Sequence, residues 1–586
     1  MVHLTQLPPE ILHNILSHVD PEDTGYIRQT CRYLLTFMDG NRALFRELYY
    51  RTLVSPAQPA THCAYLLDEP PTTDLDWEKE IRDYVRLRHI CLSHGGLDKN
   101  KDAVNHHSHH RRTRAVSSEL PFVHDVTTRL LSRSARSVPS RPARSVTHAP
   151  SRNAAVLAEF FADEGNRNAF LSRSFIFERA RGERKDFSDP PRPEHQMSAH
   201  LHCLYGMPLL KHGRTRSSRM YPFACSKVYD LREYTEHTHW GPFMGDGSLR
   251  VDWEKVEAIL LVLRSNIKNK SLDSFSIFSH FWDKPFAGPW EGSYIPWPPA
   301  AEREEEQSEL ERRDPYNVSG TWLRVVCFLD YNDFFSYNFP IGDETPDNVP
   351  RPVLDTFEAT RLILMKIHVT DITDPEEGDG DGPVVHFKGF SRSLDSSWDD
   401  NADSDLRGRI RCYGEVFFLG FSVFWVVRER NFADLEGIKG TARMTPEGEV
   451  RWTTYSIFGG QERWKSEGIQ IGGRRSARGV VGNWFEKDYD PHGPCGPTAF
   501  WKISDREPQS DDHQVELNDF LPIVDGYEQD FELDLEHEHE HIHDHEDEHE
   551  HEHVGDEGQA GDDDDDEEGH AEVYIPVDVE FVEIDG

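Results

Sequence analysis

Cysteine is scarce and scattered: the eight residues at 31, 63, 91, 203, 225, 327, 412 and 495 form no C-x-x-C and no paired spacing. That pattern excludes a disulfide framework or a thiolate zinc site readable from spacing, and it fits reduced intracellular thiols. Cys31 and Cys91 fall where helix faces are expected to be buried. Long apolar runs are missing as well. None reaches the roughly 18 residues that cross a bilayer, and the opening lacks a charged-then-apolar leader, so neither a membrane span nor secretion is expected, only cytoplasm, nucleus or both. No nucleophile elbow and no Ser-His-Asp or Cys-His order appears, so no catalytic residue and no cofactor is assigned.

Hydrophobic residues make up only 37% of the 586. The length corresponds to about three or four domain-sized units, and so low an apolar share implies that much of the chain stays unfolded. Positive charge is in deficit too, with 64 Lys and Arg against 105 Asp and Glu, a net of −41. From Asp505 onward there are 34 acidic residues and one Arg, which leaves a net of only −8 for the preceding 504 residues. The acidity belongs to a tail, 506–586, expected to be disordered, and phosphate repulsion argues against nucleic acid as its partner.

Within that tail, EHEHEHIHDHEDEHEHEH at 536–553 holds eight histidines and nine carboxylates. Imidazoles beside carboxylates attract zinc, nickel or copper, but a closed site needs ligands fixed by a fold and a second shell of partners, so the run reads as a low-complexity acidic segment and no metal site is assigned. GDGDGP at 378–383 lacks the spaced carboxylates of a calcium loop and reads as a hairpin turn. QIGGRRSARG at 470–479 lacks the Lys-Ser/Thr and following helix of a phosphate cradle, and reads as a turn with a basic rim.

What is present begins at once. In LPPEILHNILSHV, Pro8 and Pro9 suit a first helical turn, and Ile11, Leu12, Ile15, Leu16 and Val19 recur at the spacing of one face. Asp20 is a candidate N-cap for a second helix carrying Ile27, Cys31, Leu34, Leu35 and Met38, and Asn41 for a third with Leu44, Phe45, Leu48 and Tyr49. Three short helices hold few positions for a private core, so an outside surface is expected to cover their apolar faces.

LPPEIL at 7–12, the DPED turn at 20–23, TCR at 30–32 and LFRELY at 44–49 together resemble an F-box, the module by which receptor subunits of SCF (Skp, cullin, F-box) ubiquitin ligases dock on the Skp adaptor. Thr24 and Phe45 depart from the leucine and tryptophan usual there. The resemblance implies a non-catalytic receptor that holds a target protein, with Skp adaptor and cullin as partners and Leu7, Pro8, Ile11, Leu12, Ile15, Leu16, Val19, Ile27 and Leu44 as the adaptor contact.

Beyond the F-box at 1–55, a helical extension is expected at 56–93, with Trp77, Ile81, Tyr84, Val85 and Cys91 on one side. The segment 94–152, rich in Arg, Ser, Pro and His, reads as a disordered basic linker. Mixed helical structure follows over 153–315, where Asp252 is a candidate cap for a helix burying Val256, Ile259, Leu260 and Leu263.

From 316 to 505 the period is two. GTWLRVVCFLDY, RLILMKIHVTDI, PVVHFKGFSRS, EVRWTTYSIFGG, QERWKSEGIQIGG, RGVVGNWF and TAFWKI read as strands of an antiparallel barrel or strongly curved sheet, which makes the fold class α+β. GTW at 320–322 and GNWFEKDYDPHGPCGPTAFWKI at 482–503 resemble strands of the barrel in cyclin-D-binding F-box receptors, and VYDLREYT, WGPFMGDGS and VDWEKVEAI resemble a group of fungal F-box proteins. Set against those fungal sequences, 411–438 interrupts the block, and it reads as an added strand or a translated intron. Trp and Arg dominate binding hot spots, so the candidate target site is Trp452, Arg463, Trp464, Arg474, Arg475, Trp484 and His492. The competing reading is a ligand-binding or scaffold barrel whose F-box works outside the ligase.

Overall fold

The computed structural model describes residues 4–51, 75–94, 107–134, 152–182, 192–206, 214–271, 288–289, 293, 309–340, 342, 346, 349–356, 358–393, 417–418, 423–424, 436–458, 460–474 and 476–504. The chain divides into Met1–Val515 and Glu516–Gly586, and every described residue lies in the first unit. The acidic tail, its histidine run, Arg475, Cys63 and Cys412 fall outside the described residues.

The N-terminal unit has four helices rather than three: α1 (Pro9–Ser17), α2 (Asp23–Thr30), α3 (Arg32–Met38) and α4 (Arg42–Tyr50). Cys31 takes an extended backbone, φ −158° and ψ 159°, which breaks the expected second helix in two. It is therefore exposed, not buried. Asn41 caps α4 as expected, its side-chain oxygen accepting from the Leu44 amide at 3.1 Å.

These helices do close a core of their own. Leu12, Leu16, Leu34, Met38, Leu44, Phe45, Leu48 and Tyr49 pack together, and Trp77 and Ile81 of α5 (Trp77–His94) complete the cluster. The Trp77 ring meets Tyr49 edge-on at 5.2 Å. The cover that the sequence reading assigned to a partner thus comes from the chain's next helix.

The basic linker expected over 94–152 needs correction, because α6 (His107–Ser134) runs through it. Leu120, Val123, Val126, Leu130 and Leu131 are buried there. They sit at the spacing of one helical face, and that stripe buries enough apolar area to offset ordering although the surrounding composition is polar. Arg129 of α6 pairs with Asp83 of α5 at 2.7 Å, and Arg86 lies 4.0 Å over the Phe122 ring.

The middle helices are α7 (Arg152–Ala162), α8 (Phe175–Arg181), α9 (Pro193–Tyr205), α10 (Arg214–Val228) and α11 (Trp253–Ser271). Asp252 caps α11 through the amides of Glu254 and Lys255 at 3.1 and 3.2 Å. Val256, Ile259, Val262 and Leu263 are fully buried, each contributing about 1.5–3 kcal/mol. Leu260 is only partly buried, because α11 is gripped by α9 and α10 on one side and by barrel strands on the other.

Those strands are β1 (Gly320–Leu329), β2 (Glu358–Thr373), β3 (Val384–Ser393), β4 (Glu436–Met444), β5 (Val450–Phe458), β6 (Gln461–Gln470), β7 (Val480–Glu486) and β8 (Cys495–Ser504). Each pairs antiparallel with its sequence neighbour, and β8 returns to β1, so the sheet closes as an up-and-down barrel. GDGDGP lies in the turn between β2 and β3, as expected. The suspected interruption at 411–438 overruns the fold. β4 starts at Glu436, and Ile438 faces inward, buried and paired with Gly389, so without this stretch β3 would lose part of its partner. Phe417–Phe418 and Val423–Phe424 form a separate short ladder.

Buried charge joins helices to barrel. Tyr221 donates to Glu358 of β2 at 2.6 Å, and Tyr229 and Asn266 donate to the same carboxylate, whose pKa burial raises. Glu254, buried at the start of α11, accepts from the Phe175 amide at 2.6 Å, and burial pushes its pKa up to about 8. Folding therefore takes up a proton between the unfolded carboxylate range and that value, and stability falls as pH rises through this window. Glu254→Gln keeps the accepting oxygen without the charge. It should flatten the slope of Tm against pH between 5 and 8 and raise Tm at pH 8; an unchanged slope in a differential scanning series would refute the assignment.

Candidate functional site

Two regions stand out, one in the N-terminal helices and one in the barrel. On α1, two apolar faces point in different directions. Leu12 and Leu16 are 0% and 2% exposed in the unit's core, whereas Ile11 and Ile15 are 49% and 42% exposed. The helix begins beside Pro8, which is itself exposed and extended at φ −53° and ψ 144°, so Pro8, Ile11 and Ile15 form one outward ridge. A second exposed apolar set, Tyr26, Tyr33 and Leu35, flanks a shallow groove lined by Gly25, Arg28, Cys31 and Arg32.

Of the nine predicted adaptor residues, then, Pro8, Ile11 and Ile15 are exposed, and Leu7, Val19 and Ile27 are half-buried. Leu12, Leu16 and Leu44 are core and cannot touch a partner, which corrects their assignment. The physical reason is that the apolar residues of α1, Ile11 to Leu16, spread over an arc of about 140°; spacing identifies the helix but not which of its apolar residues face outward.

The second region is one end of the barrel. Inward-facing residues alternate along each strand, and the pairing sorts them by level. Trp322, Trp452, Phe387 and Phe500 meet at 5.3–5.7 Å between ring centroids and fill the lumen. Beyond this aromatic floor, inward-facing Val326, Ile363, Ser456, Trp464 and Trp484 are each partly exposed to solvent, so the lumen opens at that end. Trp464 and Trp484 form part of its wall, edge to face at 5.2 Å. The Trp484 ring lies across Gly496 to donate from Nε1 to the Cys327 carbonyl at 2.9 Å, and a Cβ at Gly496 would stand only 2.9 Å from that nitrogen.

The seven predicted target residues therefore separate. Arg463, stacked over Trp464 at 5.2 Å, belongs to the open end with Trp464, Trp484 and the β7–β8 loop residue His492. Trp452 is floor: it is fully buried and donates to Gln470 at 3.0 Å, so it cannot meet a target protein. Arg474 sits at the opposite end, in the β6–β7 turn where Gly472 and Gly473 take φ of +85° and +80°, and it donates to the Asp381 carbonyl.

The helix α12 (Tyr331–Asn338), between β1 and β2, was missed as a functional element. Its exposed Tyr331 and Phe335 and the following Phe339 form a row, and His492 stacks 4.8 Å from Phe339. The signal was present: aromatics four apart in YNDFFSYNF, which the strand-like text on either side obscured.

Comparison with known proteins agrees with the first region: the F-box-like family profile matches residues 4–51, so the chain carries an F-box-like domain there. No curated protein and no solved structure matches the chain.

Proposed function

We propose that this chain is a non-catalytic substrate-recognition subunit of an SCF-type ubiquitin ligase, acting in the cytoplasm, the nucleus or both. Its F-box-like unit docks on the Skp adaptor, which links it to a cullin, and the open end of the barrel holds a target protein. The observation that carries this reading is the outward ridge of Pro8, Ile11 and Ile15 on a unit whose core is already closed from within, so the ridge is free to serve as a contact. The receptor's contribution to ubiquitin transfer is proximity. The likeness of the barrel to that of cyclin-D-binding receptors belongs to this proposal and is supported by the closed antiparallel topology.

Target capture is assigned to the aromatic row of α12 with His492, Arg463 and the half-exposed Trp464 and Trp484, because exposed aromatics and arginine supply most hot-spot energy. The test has two arms. Purified full-length chain mixed with Skp adaptor should elute as a stoichiometric complex in size-exclusion chromatography; separate elution would overturn adaptor docking. Phe335→Ser with Phe339→Ser should retain the adaptor and change stability within about 0.5 kcal/mol, as for surface positions. The same change should remove target proteins that co-purify when cullin activation and the proteasome are inhibited. An unchanged set of partners would move the target site elsewhere.

A further inference from the structure

At the barrel end opposite the aromatic mouth, a cavity of about 100 Å³ lies between helices and strands. One wall is α6 and α9; the other is the β4–β5 hairpin and the β6–β7 turn. Leu131, Leu204 and Met444 make its apolar surface, and its volume falls below the roughly 300 Å³ at which drug-sized ligands are held. A smaller molecule is the scale that fits.

Glu449 lines this cavity, and its backbone is engaged in the hairpin: the amide donates to Thr445 Oγ1 at 3.1 Å and the carbonyl accepts from the Thr445 amide at 2.8 Å. Its carboxylate meets no donor and no cation among the described residues, and neither oxygen is sealed off. Other deep carboxylates of this chain have partners. Glu467 holds Arg451 and Lys465, Glu257 meets His202 at 2.6 Å, and Glu358 collects Tyr221, Tyr229 and Asn266. Taking a carboxylate out of water without a donor is unfavourable, and this desolvation raises the pKa of Glu449 to about 7. A carboxyl kept there is arranged for a donor that the chain itself does not supply.

The rest of the lining defines that donor. Thr128 and Ser132 each donate to a carbonyl of their own helix, those of His124 and Arg129, at 2.9 Å, which leaves their oxygens as acceptors. His200 shares its Nδ1 with His124 Nε2 at 3.0 Å and stacks on Trp253 at 3.6 Å, while its Nε2 has no partner and is not sealed off. In the tautomer whose Nδ1–H donates to His124, that Nε2 is a further acceptor. The cation of the lining, Arg474, turns to the Asp381 carbonyl. We propose that this cavity binds a small primary ammonium, its charge on Glu449 and its apolar body against Leu131, Leu204 and Met444. An ammonium carries three donors on a compact charge, which matches a lining made mostly of acceptors. A molecule seated there touches two helices and two barrel turns at once, so it strengthens their packing by mass action. This proposal goes beyond the receptor reading and does not depend on adaptor docking.

The test is calorimetric titration of the full-length chain at neutral pH with methylamine, n-butylamine and ethanolamine, against methanol, 1-butanol and ethylene glycol in turn. Salt at about 0.15 M screens contacts with the acidic tail. At least one amine should bind at one site and raise Tm, while its alcohol binds about tenfold or more weakly, the scale of losing one charge-assisted pair. Glu449→Gln should lower amine affinity to the level of the alcohol, and its own Tm should be no lower than that of the parent chain, because an unmatched charge has been removed. Equal binding of amine and alcohol by the unaltered chain, or no binding of any of the three amines, overturns the proposal without reliance on a variant. Undiminished amine binding by folded Glu449→Gln also overturns it. Adaptor binding measured on the same preparations should be unaffected by Glu449→Gln, so failure of the cavity site and failure of the docking reading are told apart.

Discussion

Ile11→Glu combined with Ile15→Glu should abolish capture of the Skp adaptor and leave the N-terminal helices folded. Both side chains are more than two-fifths exposed, so the charges enter water in the free protein, but in a complex each would be buried in an apolar contact without a partner. The contrast lies one residue away. Leu12→Ala or Leu16→Ala removes a fully packed side chain and should cost about 2–5 kcal/mol, unfolding the unit and losing the adaptor as a consequence. Circular dichroism and hydrogen exchange of the N-terminal helices, alongside adaptor pull-down, separate the two cases. If the double glutamate variant still binds the adaptor, the ridge is not the interface and the groove beside Tyr26 and Leu35 becomes the candidate.

Glu467→Gln should destabilise the barrel by about 3 kcal/mol, the scale of breaking a buried ion pair from one side. The carboxylate is fully buried on the outer face of β6, where Arg451 and Lys465 reach it at 2.8 and 3.0 Å and Thr453 donates at 3.0 Å. Burial acts to raise its pKa, but the two cations and their hydrogen bonds outweigh that and hold it below the usual carboxylate value. The stability it contributes is therefore present above the unfolded pKa and lost as pH falls through the folded one. Glutamine leaves two cations facing each other and should remove that acid-side slope as well as lower the denaturation midpoint. A variant as stable as the parent chain in urea at pH 7 would show that the cluster is offset by its own desolvation.

Alternation made the barrel legible: TWLRVV, VRWTTYS and TAFWKI each declare which residues share a face. What alternation does not carry is depth. Trp452 and Trp464 both face inward on adjacent strands, yet one is sealed beneath the lumen and the other lines its mouth, because strand stagger sets their level. The helix α6 was missed because composition averages over a window, and a short stripe of five apolar residues is diluted by the histidines and arginines around it. In the N-terminal unit the helices were visible from spacing, and the break at Cys31 was not, because TCRYLL carries no glycine or proline to mark it.

Closure of the barrel also orders events during synthesis. Thr321 pairs with Ser504 across the seam, so the first strand made must wait for the last before its outer hydrogen bonds are satisfied. Until β8 leaves the ribosome, β1 and β7 both present open edges, the state most prone to joining another chain. A nascent chain cut short between β7 and β8 would keep those edges while already displaying a folded N-terminal unit. Under the proposed adaptor docking, such a fragment would occupy an adaptor without the closed barrel of the finished protein, and premature termination in this interval would act as a dominant-negative lesion and not as a simple loss.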